Sequence, residues 1–344
     1  MSRTRVLVVD DSPFIRRVLT DWLKSTDEFD VVGVAANGEE ALAQTLTLKP
    51  DVITLDVEMP VRDGLWALDQ IMKAQPTPVI MVSSVTTQGA AATLKALELG
   101  AAEIFAKPQG SSSLKFLATK DELLDKIRGI KHARVSRSFA ITPKVAAPRH
   151  GTNKVVLIAS STGGPKALSA LFAALPKGFQ APIAIVQHMP PGFTKSLAQR
   201  LEGLGTIECR EAEAGDVMSP GLALLAPAGL HMVIGEGGKI EFEDSPRVHG
   251  VKPAADFMFQ SGAKVYGPRV VGVVLTGMGR DGADGAVAIR KAGGTVFGEA
   301  ESTAMIYGMP RAAMIAGGID AEFPINEMAH AISASLVGRV AHAS

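Results

Sequence analysis

The sequence predicts an α/β protein made of two doubly wound parallel-sheet domains joined by a linker, the second domain carrying a small β insertion. Three observations lead there. Short aliphatic runs such as Arg5 to Val9 and Val155 to Ile158 show no polar alternation, as strands buried on both faces of a parallel sheet do. Those runs alternate with helix-length amphipathic segments, the pattern of βαβ units. Two such series are separated by a basic, proline-containing stretch, and 344 residues suffice for two cores of ordinary size. The expected boundaries are residues 4–121 for the first domain, 122–153 for the linker and 154–344 for the second.

In the first domain, Arg5 to Val9 runs into Asp10 and Asp11, Val52 to Leu55 ends at Asp56, Val79 to Val82 ends at Ser83, and Glu103 to Ala106 ends at Lys107. Helical spacing is expected over Phe14 to Lys24, Gly38 to Leu48, Leu65 to Ala74 and Gln88 to Leu99. Ligands of doubly wound sheets bind beyond the carboxyl ends of the strands, so one edge should hold three carboxylates, a hydroxyl and an ammonium. Three acidic groups brought together repel one another unless a cation intervenes, and an all-oxygen ligand set in a shallow cleft suits Mg²⁺. Asp10, Asp11 and Asp56 are therefore the expected metal ligands. Asp56 is the expected phosphoryl acceptor, with Ser83 and Lys107 holding the transferred oxygens.

Between the domains, residues 122–153 hold 7 Lys/Arg against 2 Asp/Glu, although the whole chain has no net charge. With no sustained apolar period beyond residue 131, a solvated spacer is expected there. Overall neutrality leaves no basic field for nucleic acid or a membrane surface. Cys209 is the single cysteine, which excludes an internal disulfide and suits a reducing cytoplasm. Only a few apolar residues precede Asp10, too few for a signal peptide or a membrane span, so the protein is expected to be soluble and cytoplasmic.

The second domain opens with Lys154 to Pro165, KVVLIASSTGGP, an apolar strand that stops at two serines, a threonine and two glycines. Gly163 and Gly164 permit a sharp turn and Pro165 suits the first turn of a following helix, so Ser161 is expected beside a helix N-terminus. A second strand, Pro182 to Val186, ends at Gln187-His188, and a third, Val270 to Leu275, ends at Thr276-Gly277-Met278-Gly279-Arg280-Asp281. Short strand-like runs at 207–211, 222–225, 231–234 and 239–242 form the expected β insertion. A strand at 295–298 and helices at 309–316 and 325–337 close the domain.

Parallel-sheet logic puts the ends of those three strands on one rim, where Ser161, His188 and Asp281 can meet. A hydroxyl activated by an imidazole, whose other nitrogen is fixed by a carboxylate, with backbone N–H groups nearby, is the equipment of an ester hydrolase. The G-x-S-x-G elbow is absent and the chain order Ser, His, Asp differs from that of α/β hydrolases, so this would be a separate occurrence of the triad. Read singly, a serine before two glycines caps a helix, a histidine ends a strand and an aspartate among glycines makes a turn. Two rival readings weigh less: a DNA-binding second domain lacks basic charge and a helix-turn-helix, and a nucleotide cradle lacks a complete glycine motif.

Asp10-Asp11, Asp56 with Val57-Glu58-Met59-Pro60 and Gly64, Ser83 and Lys107-Pro108 together resemble the flavodoxin-like receiver domain of bacterial response regulators. That resemblance implies phosphorylation of Asp56 by the sensor histidine kinase of a signalling system. It departs from the usual pattern at Ile104, where an aromatic commonly stands, with Phe105 beside it. SSTGG, QHMPPGF, LTGMGRDG and GMPRAA resemble the Rossmann-like catalytic domain of chemotaxis protein-glutamate methylesterases. This second resemblance implies hydrolysis of γ-methyl glutamyl esters on methyl-accepting chemoreceptors, with release of methanol, and deamidation of receptor glutamines. By motif it assigns Ser161 as nucleophile, His188 as general base and Asp281 as the residue orienting it. The backbone N–H groups around Thr162 and Met278 are the candidate oxyanion donors, and Ser160 stands as an alternative nucleophile. Together the resemblances imply that the unphosphorylated receiver restrains the esterase and that phosphorylation of Asp56 releases it, with no cofactor at the esterase site.

Overall fold

The computed structural model describes residues 3–84, 87–107, 118–135, 152–205 and 207–337. The chain divides into two compact units, residues 1–138 and 139–344. Pro108, the loop expected at 110–113 and residues 136–151 of the expected linker lie outside the described residues.

The first unit is a five-stranded parallel sheet with the order β2-β1-β3-β4-β5. Its strands are β1 (Thr4–Val9), β2 (Phe29–Ala35), β3 (Val52–Asp56), β4 (Val79–Ser84) and β5 (Glu103–Lys107). Helices α1 (Pro13–Lys24), α2 (Gly38–Leu48), α3 (Gly64–Ala74) and α4 (Thr87–Leu99) connect them. That strand order is flavodoxin-like and puts the ends of β1 and β3 side by side. Local chemistry fixes where the helices begin. The Ser12 hydroxyl accepts the Ile15 N–H, with Pro13 in the first turn, and the Asn37 side-chain oxygen accepts the Glu40 N–H while the Glu40 carboxylate accepts the Ala36 N–H. The sequence reading omits β2, an edge strand whose residues range from buried to exposed and which carries Asp30 and Gly33 within FDVVGVA. Helix α5 (Lys120–Ile130) buries Leu123, Leu124, Ile127 and Ile130. It is tied to the first unit by Lys126 to Glu103 at 3.3 Å and Arg128 to Glu28 at 2.8 Å.

The second unit is built on seven parallel strands in the order β14-β13-β12-β6-β7-β9-β8. These are β6 (Val155–Ser160), β7 (Ile183–Gln187), β8 (Glu208–Glu211), β9 (Leu222–Leu225), β12 (Val270–Val274), β13 (Thr295–Glu299) and β14 (Ala321–Phe323). Every residue of β6, β7 and β12 is buried, which accounts for their unbroken aliphatic sequences. The pair β10 (His231–Ile234) and β11 (Ile240–Glu243) is a separate antiparallel hairpin. Of the four short runs read as an insertion, two therefore extend the central sheet and two form this hairpin.

The helices of the second unit are α6 (Gly164–Ala174), α7 (Thr194–Glu202), α8 (Ala255–Tyr266), α9 (Ala283–Lys291), α10 (Met309–Ile315) and α11 (Ile325–Leu336). Leu157, Met258, Phe259, Ile289 and Val296 belong to the apolar core gathered on the α8 and α9 side of the sheet. The chain leaves β6 toward β7 on one side and returns to β12 on the other, so the strand order reverses at β6 while all strands stay parallel. That crevice is where ligands of such sheets bind. Among the described residues, no helix is long and apolar enough to cross a membrane.

Candidate functional site

Ser161 immediately follows β6 at the reversal point. Its backbone N–H donates to the Thr276 carbonyl at 3.0 Å, and its own carbonyl accepts the Gly164 N–H at 2.7 Å. The turn into α6 uses Gly163 at φ +78 and then Gly164, where a Cβ would stand 2.0 Å from Gln187 Oε1. Only glycine fits there, because the Gln187 side chain crosses that space. Gln187 Oε1 accepts the Ser160 hydroxyl at 2.7 Å, and its amide donates at 2.9 Å to the carbonyls of both Ser161 and His188. One side chain thus ties the end of β6 to the end of β7. It also engages the Ser160 hydroxyl, which is fully buried.

His188 follows β7, and its N–H continues the ladder to the Ser160 carbonyl at 3.0 Å. Its Nε2 lies 2.7 Å from Asp281 Oδ2. The other ring nitrogen, Nδ1, is buried with no hydrogen-bond partner. Asp281 is itself buried and held by backbone donors: Ala255 N–H to Oδ2 at 2.6 Å, and the N–H groups of Asp256 and Gly282 to Oδ1 at 3.1 and 3.0 Å. Burial works against its ionisation, but the His188 contact and the Ala255 and Asp256 N–H groups outweigh that and hold its carboxyl below the usual range. Two of these donors belong to the first turn of α8, where the helix dipole also favours an anion. Neither α8 nor its part in holding Asp281 follows from the sequence reading.

Thr276 and Gly277 lie next to the serine turn. The Thr276 hydroxyl donates to the Thr162 carbonyl at 2.9 Å and accepts the Ile306 N–H at 2.9 Å. A Cβ on Gly277 would come within 2.7 Å of Ser161 Cβ. The two stretches carrying Thr162 and Met278 are therefore bonded to each other beside Ser161. A hydroxyl, an imidazole with one nitrogen on a carboxylate and the other unpartnered, and two adjoining backbone turns suit nucleophilic acyl transfer.

In the first unit, Asp10, Asp11 and Asp56 bring carboxylate oxygens within 4.8 Å of one another. Lys107 Nζ lies 2.8 Å from Asp10 Oδ2 and 2.7 Å from Asp56 Oδ2. Burial pushes the Asp56 carboxyl up to about 6, with Lys107 opposing the rise and Asp10 adding to it. An all-oxygen set of this charge fits a hard divalent cation, which would relieve the repulsion between Asp10 and Asp56. The Asp56 carbonyl accounts for Gly64, since a Cβ there would sit 1.9 Å from it. Ser83 is buried at the end of β4. Ile104, at the place of the usual aromatic switch, and Phe105 beside it are both buried within β5.

The pattern of the CheB methylesterase family matches residues 156–332, and that of the response regulator receiver domain matches residues 6–118. A Symbiobacterium thermophilum protein named protein-glutamate methylesterase/protein-glutamine glutaminase is 46% identical, the match covering 96% of each chain. A Pyrococcus abyssi protein of the same name is 46% identical over 95% of this chain and 92% of its own. The crystal structure of the Thermotoga maritima CheB methylesterase catalytic domain is similar with a TM-score of 0.51 at 40% identity. It covers 54% of this chain and 98% of that domain.

Proposed function

This chain belongs to the CheB methylesterase family, with a response regulator receiver domain ahead of the esterase, and from that premise we propose that it hydrolyses γ-methyl glutamyl esters on chemoreceptors under the control of phosphorylation. The observation that supports the reading best is the pairing of His188 Nε2 with Asp281, which leaves Nδ1 unpartnered, on a residue whose backbone N–H bonds to the Ser160 carbonyl next to Ser161.

With an ionised Asp281 accepting from Nε2–H, the neutral imidazole keeps its lone pair on Nδ1. That nitrogen is the general base. It takes the Ser161 proton as Oγ attacks the ester carbonyl, and the resulting imidazolium is stabilised by Asp281. The carbonyl oxygen becomes an oxyanion received by N–H groups around Thr162 and Met278. The proton then passes from Nδ1 to the departing methoxide, so methanol leaves and an acyl-serine remains. A water molecule, deprotonated by the same nitrogen, hydrolyses that acyl-enzyme to a glutamate carboxylate and restores Ser161. Ser161 and not Ser160 is the nucleophile, because the Ser160 hydroxyl is spent on Gln187. A receptor glutamine presents the same carbonyl with ammonia as the leaving group, so deamidation follows the same route.

In the first unit, Asp56 accepts the phosphoryl group from a sensor histidine kinase. Asp10, Asp11 and Asp56 would hold Mg²⁺, which would supply positive charge to the group in transfer, while Lys107 and Ser83 engage that group's oxygens. Phosphorylation raises the esterase rate. The setting is chemotactic adaptation in the cytoplasm. Methanol release from membranes carrying methylated chemoreceptors tests the core of this reading: Ser161→Ala should fall to background while Ser160→Ala stays active. Retained release by Ser161→Ala would overturn it.

A further inference from the structure

Strand β13 ends on a carboxylate that the scheme above does not use. Glu299 is completely buried. Its Oε2 accepts the Thr276 N–H at 2.9 Å and its Oε1 accepts the Thr303 hydroxyl at 3.0 Å. Thr303 Oγ1 in turn accepts the Ile325 N–H at 3.0 Å, which leaves its own proton for Glu299. Both partners are therefore donors toward Glu299. Burial nonetheless pushes its carboxyl up to about 7, because an N–H and a hydroxyl replace water only in part.

The need for an acceptor at this place comes from the sheet. The parallel pairing of β12 with β13 ends at Val274 and Gly298, and two residues on, the Thr276 N–H has no backbone partner from β13. The Glu299 side chain supplies one. Thr276 distributes that anchoring: its carbonyl holds the Ser161 N–H, and its hydroxyl bridges the Thr162 carbonyl and the Ile306 N–H. The next residue, Gly277, packs against Ser161 and donates its N–H to the Ile306 carbonyl at 3.1 Å.

We propose, resting on the reading of Ser161 as nucleophile, that Glu299 is a positioning residue. Its acceptor oxygen fixes Thr276, and Thr276 sets the spacing between the Ser161-Thr162 turn and the Gly277-Met278 turn that receive the oxyanion. What the site requires of Glu299 is the acceptor and not the charge. A shift of about 1 Å between those turns would cost on the order of a hundredfold in rate, without altering how the receptor helix docks.

The test uses the full-length protein, phosphodonor present, and methanol release from membranes carrying methylated chemoreceptors. Glu299→Gln keeps an acceptor of the same shape, and Glu299→Leu removes it. The Leu variant should lose about tenfold or more in kcat with KM within about twofold of wild type, and the Gln variant should recover most of that loss. Equal kcat in the two variants, or wild-type kcat in Glu299→Leu, would overturn the proposal. Should Glu299→Leu fail to fold, Thr276→Val decides. It keeps the backbone bond to Glu299 and deletes the bridge to Thr162, so a similar kcat loss is expected and an unchanged kcat overturns the proposal. Ser161→Ala run alongside separates the two levels: activity in that variant defeats the nucleophile assignment, whereas its inactivity with unaffected Glu299→Leu defeats only the positioning role.

Discussion

Asp281 Oδ2 accepts from His188 Nε2 at 2.7 Å while also accepting the Ala255 N–H at 2.6 Å. The carboxylate that orients the imidazole is thus itself oriented by the start of α8. An amide in its place meets a conflict. Asn offers one oxygen to the several N–H groups that now surround Asp281, so its NH₂ turns toward His188. The imidazole must then accept at Nε2 and carry its proton on Nδ1, where it cannot act as base. Asp281→Asn is expected to lower kcat by about 10⁴ with the fold intact. Steady-state methanol release beside a circular dichroism spectrum checks it, and a loss under tenfold would contradict the assigned tautomer.

Gly164 offers a steric test of the same rim. A methyl group there meets Gln187 Oε1 at 2.0 Å and Ser160 Cβ at 2.9 Å. Gln187 must swing away, and its bonds to the Ser160 hydroxyl and to the carbonyls of Ser161 and His188 go with it. Gly164→Ala is expected to cost about 1–3 kcal/mol of stability and most of the esterase activity. Gly178→Ala serves as the control, since nothing lies within 4 Å of its added methyl and only the backbone strain at φ +76 remains. Thermal midpoints and methanol release for the pair distinguish crowding at Gln187 from a general intolerance of alanine.

The strand ends were legible because a buried parallel strand has no alternation and stops abruptly at a polar residue: Asp10, Asp56, Ser161 and His188 all follow such runs. Helix α8 was not. Its N-cap position is Ala254, without a side-chain cap, and its buried face mixes Met258 and Phe259 with Gly262 and Ala263, which gives a weak apolar period. What it supplies to Asp281 is backbone N–H, and no side-chain motif encodes that. Edge strand β2 was missed for a related reason, since half-exposure admits Asp30 and a glycine. The strand expected at 295–298 stops one residue short of Glu299. Its role depends on the register of β12 against β13, which pairs residues far apart in the chain.

For the first unit, the arrangement of Lys107 across Asp10 and Asp56 predicts a response that depends on both the acceptor and the cation. Asp56→Asn should leave methanol release unresponsive to a small-molecule phosphodonor, at the rate of the unphosphorylated wild type. Chelating divalent cations should abolish the stimulation of the wild type in the same way. Removing residues 1–150 should raise the basal rate and remove the response altogether. An isolated second unit no faster than the unphosphorylated full chain would show that the unphosphorylated receiver does not restrain the esterase.

Glu299 makes a prediction in stability that runs opposite to its role in rate. Its carboxyl is raised in the fold to about 7 from an ordinary 4.5. Between those values the folded state holds a proton that the unfolded state has lost, so stability falls as pH rises through this window. The cost is absent below about pH 4.5 and complete above about pH 7, where it amounts to roughly 3 kcal/mol. Glu299→Gln cannot ionise and escapes it. The variant should therefore gain stability over wild type at pH 8 by an amount that shrinks markedly at pH 5, as read from the urea unfolding of the second unit at both values. A difference between the two proteins that does not change with pH would mean that Glu299 titrates as an ordinary carboxylate. Its buried anion would then be compensated by more than the Thr276 N–H and the Thr303 hydroxyl.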